Sequence, residues 1–387
     1  MIRDRWLRPL PFVLGLSLLL LPAVSAPPAG ASTHQVTIGV DHAGPAHHNF
    51  GYNDFFPRAG ATVHRGDVAS FAWATAPDGL HDVAVLKSGE SPAAAWTKVY
   101  PLVVPDTDDA HQLQLNPTAL LGTQPPPGLP VPGSCGDAAT PCTYTGASDV
   151  VAGAQPTQGS PTFRVKIDAP VGSTVKFVCL IHPGMQGSVK VVADSAPVTT
   201  PATVANRAAV QYAGETTKAL AAFAAADAAV YHDRPDGTRR IDALAGLAVG
   251  PVEILEMIPR QIRARAGDTV TWHYRPGSEI HTVTFPKGTM KGEPDPQFCD
   301  VNGVDIPAAA PPKQPCADMR GFEVHIVPGP KGPSTIAHTF TFASSGIIGP
   351  KPSPQAYSFT FPNKATFTYF CHLHEHMIGT VQVAAKA

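Results

Sequence analysis

Two segments of the chain carry matching side chains in the same order. Lys176-Phe177-Val178-Cys179-Leu180-Ile181-His182-Pro183-Gly184-Met185-Gln186-Gly187 and Thr368-Tyr369-Phe370-Cys371-His372-Leu373-His374-Glu375-His376-Met377-Ile378-Gly379 stand 192 residues apart throughout. Each holds a cysteine, a histidine three residues on, and a methionine three residues beyond that. Upstream of each, one histidine opens a β-like run: His81 before Asp82-Val83-Ala84-Val85, and His281 before Thr282-Val283-Thr284-Phe285. The candidate ligand sets are therefore His81, Cys179, His182 and Met185, and His281, Cys371, His374 and Met377. A thiolate, two imidazoles and a weak thioether in a trigonal arrangement are the donors of a mononuclear type 1 (blue) copper site. The expectation is two such coppers. A geometry that changes little between Cu(I) and Cu(II) suits single-electron transfer. A core methionine and a structural histidine would explain one set. Two sets in register, each followed by glycine and a β run, favour metal.

The spacing requires a tight loop between two strands. The cysteine ends the first strand, the histidine sits on the loop, and the methionine begins the return. The lone histidine must come from a separate strand. The repeat extends upstream: Phe56-Pro57-Arg58, Gly66-Asp67 and Ser70-Phe71-Ala72-Trp73 correspond to Ile258-Pro259-Arg260, Gly267-Asp268 and Val270-Thr271-Trp272. Short alternating runs punctuated by Gly, Pro and Asp predict a mainly β chain built as antiparallel sandwiches or barrels. Two copies separated by unrelated sequence predict tandem domains, at 32–194 and 248–387. The segment 195–247 between them reads as a linker. Its Ala-rich part predicts a helix over Glu215–Tyr231, a spacer or brace, ended by Arg234-Pro235-Asp236-Gly237.

Each domain carries a long insert between its lone histidine and its cysteine, roughly residues 87–160 and 287–356. Each insert holds one close cysteine pair, Cys135 with Cys142 and Cys299 with Cys316. Disulfides there would tether irregular chain; zinc is the alternative, weakened by the lack of a second nearby ligand pair. Cys179 and Cys371 are left over. They could bridge each other, but their matched positions point to metal.

These motifs resemble the cupredoxin family, particularly its plastocyanin- and amicyanin-like members, and the Phe177–Met185 segment looks most like the short ligand loop of amicyanin. The resemblance covers about half of the chain that follows the leader. It implies a Greek-key β-sandwich of about eight strands in each domain, and copper-ligand roles for the eight residues named above. His376 is an alternative to His374, but it aligns with Gly184, and the register favours His374. A multicopper oxidase or a copper nitrite reductase is the competing reading. Those enzymes place a histidine directly before the blue-site cysteine, and here Val178 and Phe370 occupy that position. Copper storage or delivery is a further alternative, with only six methionines to support it. His34, His42, His47 and His48 could form an auxiliary copper site and read more simply as solvated residues.

Composition sets the remaining limits. With 387 residues, 43% of them hydrophobic and 15% charged, the chain can build real cores. A formal net charge of −2 without a long basic run argues against nucleic acid as a partner. The N-terminus reads as a secretory signal over residues 1–31: Arg3, Arg5 and Arg8, then an apolar run from Phe12 to Val24, then Ala29-Gly30-Ala31. No membrane span is expected in the mature chain, which reads as exported. The expected partner is a redox protein or a small-molecule electron donor or acceptor. It would meet each site at a loop histidine near the surface, the loop being apolar in the first domain and polar in the second.

Overall fold

The fold is taken from a computed structural model, which describes residues 34–58, 60–74, 81–98, 103–105, 113–115, 135–152, 162–285, 334–341, 343–351, 353–371, 373–374 and 376–386. The expected leader and the Cys299/Cys316 pair lie outside the described residues.

Two β-sandwiches share one wiring plan. In the first domain one sheet runs Phe55–Phe56, Gln35–Val40, Val68–Trp73, Thr162–Ile167, Cys142–Tyr144. The other runs Val150–Val151, Ala84–Val85, Thr174–Val178, Gln186–Val192, Ala61–His64. In the second domain the corresponding orders are Val252–Ile258, Arg239–Val249, Thr269–His273, Ala356–Thr360, Ser334–Thr335, and Ala343–Ser344, Thr284–Phe285, Ala365–Phe370, Ile378–Ala384, Gln261–Arg265. The sheets are mixed, not purely antiparallel. Gln35–Val40 lies parallel to Val68–Trp73, as Arg239–Val249 does to Thr269–His273. Each pair of sheets closes on its own core. Phe55, Phe71 and Phe177 meet edge to face in the first, and Trp272, Phe285, Phe359 and Tyr369 cluster in the second. Alternation along Gln35–Val40 and Thr162–Ile167 puts every second side chain into that core, the period of a strand buried on one face.

The segment expected as linker contains more than a helix. Arg239–Val249 is built into the second sandwich, with Ile241, Ala243 and Ala245 buried. Alanine and glycine have low strand propensity, so this run looks weak in sequence, and the sheet around it decides its conformation. The helix spans Pro201–Ala226, beginning earlier and ending sooner than Glu215–Tyr231. Thr200 caps it by accepting from the Thr203 amide, and Pro201 opens it. The residues from Val230 to Asp233 leave it to pair with Arg239–Val249.

The domains are joined through a third core. Phe50–Tyr52 of the first domain pairs antiparallel with Val252–Ile258 of the second, setting Tyr52 against Val252 and Phe50 against Ile254. Phe50, Tyr52, Phe56, Val252, Ile254 and Ile258 pack there with Ala219, and Tyr212, Leu220 and Phe223 of the helix lie against them. Tyr52 Oη also meets Thr216 Oγ1 at 2.7 Å. The ion pair Asp54–Arg58 recurs as Glu256–Arg260, so Gly51 and Glu253 occupy equivalent positions. They also face one another in the ladder. The joint is therefore quasi-two-fold.

Candidate metal centres

Each repeat loop is closed by the same two backbone hydrogen bonds. Cys179 N donates to Met185 O at 3.0 Å and Met185 N to His182 O at 3.0 Å; Cys371 N donates to Met377 O at 2.9 Å and Met377 N to His374 O at 3.3 Å. The strand ending in Val178 delivers Cys179, and Ala365–Phe370 delivers Cys371. His81 and His281 each stand just before a short strand of the same sheet.

The loops bring three donors to one point in each domain. His81 Nδ1 and His182 Nδ1 are 3.1 Å apart, with Cys179 Sγ 3.5 Å from His182 Nδ1. His281 Nδ1 and His374 Nδ1 are also 3.1 Å apart, with Cys371 Sγ at 3.6 Å from His374 Nδ1 and 4.0 Å from His281 Nδ1. Cys179 and Cys371 are buried and free, while Cys135 and Cys142 form a disulfide. Met185 and Met377 are fully buried at the ends of the loops. His374, not His376, joins Cys371 and His281. The N-terminal histidines make separate contacts: His34 with Thr199 O, His42 stacked on Tyr212, and His48 with Glu256.

The outer ring nitrogens of the four histidines face carboxylates. His81 Nε2 lies 3.2 Å from Asp41 Oδ2, and His281 Nε2 lies 3.3 Å from Glu253 Oε1; both carboxylates are buried. His182 Nε2 lies 3.5 Å from Glu279 Oε1, and His374 Nε2 lies 3.0 Å from Glu279 Oε2. A carboxylate at Nε2 holds the proton there and leaves the Nδ1 lone pair for a metal. Four imidazoles aimed in this way, with thiol sulfurs at 3.5–4.0 Å, fit one ion per group at about 2.0–2.3 Å from each donor.

The loop histidines are therefore not open edges of two separate sites, as the sequence suggested. Both meet the same carboxylate. None of Asp41, Glu253 and Glu279 was found from sequence. One signal was available, the acidic residue inside the apolar run Val252-Glu253-Ile254-Leu255.

The electrostatics of the two groups differ. Burial, and the Asp82 carboxylate beside it, push the Cys179 thiol well above its ordinary value. Burial also raises Asp82, to about 7, against the hydrogen bond it accepts from Leu180 N at 2.6 Å. His182 is lowered to about 4 by burial, with His81 adding to the effect and Glu279 opposing it. In the second domain burial opposes ionisation of Cys371, but His281 and His374 outweigh it and hold the thiol well below its ordinary value. Burial is likewise outweighed at His374, where Cys371 and Glu279 favour the cation. Burial opposes the charge on Glu279 too, yet His182, His374 and Asn53 bring its carboxyl below the usual range.

No family model and no curated protein matches the chain in sequence. Among solved structures it is similar to auracyanin from Roseiflexus castenholzii, at 21% identity and a TM-score of 0.24, over 42% of this chain and 100% of that one. It is also similar to a copper-containing nitrite reductase from Thermus scotoductus, at 11% identity and a TM-score of 0.22, over 91% of this chain and 68% of that one. A blue copper oxidase from Nitrosomonas europaea matches at 10% identity and a TM-score of 0.20, over 90% and 86%. Scores this low carry no argument about activity. The strand order repeats in the two sandwiches and each holds one His-Cys-His group, the tandem arrangement that the sequence resemblance implied.

Proposed function

We propose that the protein is an exported copper protein with two type 1 sites, which accepts and passes on single electrons. His81, Cys179 and His182, with Met185 as the weak axial donor, would hold one copper; His281, Cys371 and His374, with Met377, would hold the other. Bound copper supplies reversible one-electron chemistry and, through the thiolate, an intense blue colour.

The protein's part is to keep the donors fixed. Paired loop hydrogen bonds hold cysteine, histidine and methionine in register. Asp41, Glu253 and Glu279 keep protons on Nε2, so each imidazole presents Nδ1 as an acceptor. Burial of both cysteines and both methionines excludes water from the donor side, which suits electron transfer rather than catalysis on a bound substrate. Among the observations, the matched Nδ1 pairs at 3.1 Å carry the reading. The N-terminal charge pattern and apolar run support export, and a redox protein or a small electron donor is the proposed partner.

The deciding experiment is metal analysis of the mature protein together with its visible and EPR spectra. Two coppers per chain and an intense thiolate-to-copper band are expected. Four or more coppers would replace this reading with a multicopper oxidase, and weakly bound, colourless copper would replace it with a carrier.

A further inference from the structure

Glu279 stands where the two sites meet. Its Oε2 lies 3.0 Å from His374 Nε2 in its own domain, and its Oε1 lies 3.5 Å from His182 Nε2 in the other. Asn53 Nδ2 of the first domain donates to Oε1 at 2.7 Å. Asn53 directly follows the strand that crosses between the domains, and its backbone N donates to Pro251 O at 2.8 Å. The interdomain ladder thus fixes the carboxylate from the first domain while its own backbone fixes it from the second. The rings on either side are largely enclosed, with 13% of the His182 side chain and 9% of the His374 side chain exposed.

Glu279 also departs from the repeat. It stands two residues before His281; two residues before His81 the sequence has Gly79. One carboxylate beside a quasi-two-fold joint can serve both loop histidines. A surface salt bridge would not need this arrangement. A residue that only set a tautomer would need one histidine, as Asp41 and Glu253 each do.

We infer that Glu279 wires the two sites together, so that an electron received at either site passes to the other along His182–Glu279–His374. This rests on the two-copper reading above. In the step, copper(I) at one site becomes copper(II) and copper(II) at the other becomes copper(I). One electron moves, both protons stay on Nε2, and no covalent bond forms or breaks. Fixed groups in close contact carry an electron better than a solvent gap: His374 Nε2 is hydrogen-bonded to Glu279 at 3.0 Å, and His182 Nε2 lies 3.5 Å from the other carboxylate oxygen. The chain then acts as one two-electron store that can equilibrate internally, and a partner needs access to only one site.

The test uses the full-length, copper-loaded protein and two variants, Glu279→Ala and Glu279→Gln. Copper content and the EPR spectrum of each site are recorded first. Sub-stoichiometric electrons are then injected by pulse radiolysis, and redistribution between the sites is followed. In the parent protein, reduction at one site should be followed by a concentration-independent phase of exchange. Glu279→Ala should bind copper more weakly at both sites, so it is saturated with excess copper before injection; at full occupancy that phase should slow roughly 10-fold or more, the scale on which losing an outer partner of a metal ligand acts on affinity and activity. Glu279→Gln keeps one acceptor oxygen in place of two, the other atom becoming an N–H donor, and should fall between the two. Should Glu279→Ala fail to fold, Asn53→Ala, which frees the carboxylate from the first domain, should slow the same phase. Two intact blue sites with exchange unchanged in Glu279→Ala, or in Asn53→Ala as its substitute, would overturn the wiring alone. A parent protein lacking two blue sites would remove both readings.

Discussion

The two metal centres reach the same inner geometry with different supports. In the first domain the residue after the strand Gln35–Val40 is Asp41, at φ 61°, and its carboxylate meets His81. The equivalent position in the second domain is Gly246, at φ 73°, inside the irregularity between Ala245 and Leu247. A Cβ there would stand 2.1 Å from His281 Nε2. The carboxylate comes instead from Glu253 on the next strand, which also accepts from the Ser278 hydroxyl. Beside the cysteine the contrast is one of charge. Asp82 follows His81 and Thr282 follows His281; the backbone N–H of each serves the cysteine sulfur, but only Asp82 adds a carboxylate there. The donor atoms are the same in both repeats, as a bound metal would demand. Their supports are not, because any carboxylate that reaches Nε2 does the same work.

The largest effect should separate the centres outright. Cys179→Ser should abolish the blue band of the first domain and leave that of the second, and Cys371→Ser the reverse. Serine oxygen cannot replace the soft thiolate that gives the colour. Complete bleaching by either single change would mean one shared cluster instead of two centres. Next in size is Gly246→Ala. Its positive φ costs an L-residue about 1–2 kcal/mol, and the new methyl must displace the His281 ring. Copper at the second site should bind at least 10-fold more weakly with the first unaffected, checked by competition with a chelator. Asp41→Ala should do the converse, weakening the first site by a comparable factor through loss of the partner at His81. Equal losses at both sites in either variant would dissolve the distinction between the two supports.

The sequence made the inner residues legible because a repeat amplifies a pattern. Cys179, His182 and Met185 align with Cys371, His374 and Met377 without a gap, and each loop has the cysteine-to-methionine hydrogen bonds that this spacing allows. The Ala-rich helix and the Cys135–Cys142 disulfide were legible from local composition and spacing. The supports were not. Asp41 and Glu253 serve matching histidines from non-matching positions, so alignment of the repeats hides them. Glu279 is visible as a mismatch with Gly79, but a mismatch has no meaning until the domains are joined. The joint depends on Phe50–Tyr52 crossing to Val252–Ile258, a pairing between positions about 200 residues apart, which local pattern cannot signal. Arg239–Val249 was missed because alanine and glycine give little sign of a strand.

The charge contrast gives a smaller, signed effect. A carboxylate beside Cys179 stabilises the more positive oxidised centre, so the first site should have the lower reduction potential. Asp82→Asn should raise that potential by some tens of millivolts at pH 8, since a partly screened neighbouring charge is worth about 1–2 kcal/mol and 59 mV is a tenfold change for one electron. Thr282→Asp should lower the second site's potential by a similar amount. Spectroelectrochemical titration of each variant reads both. A potential at the first site that falls on Asp82→Asn would reverse the assignment.

The smallest predicted effect lies where the same ion pair is embedded twice. Glu256–Arg260 is joined by the His48 ring and by the Asn49 backbone N–H. Asp54–Arg58 is joined instead by Gln211 and Glu215 of the helix. A second carboxylate beside Asp54 is unfavourable: burial first, then Asp54, raise Glu215 from 4.5 to about 7, with Arg58 opposing. The native state therefore holds a proton that the unfolded chain gives up near its ordinary value. By linkage, the contribution of Glu215 to stability is fully present below about pH 4.5 and is lost as pH rises to about 7. After discounting for solvent screening, the loss should be about 1–2 kcal/mol. Glu215→Gln cannot ionise, so relative to the parent it should gain that amount at pH 8 and little at pH 4.5. Denaturant unfolding at the two pH values measures the difference. A gain equal at both would assign the effect to the amide's hydrogen bonding, and the helix would then hold Asp54–Arg58 without the charge conflict that distinguishes it from Glu256–Arg260.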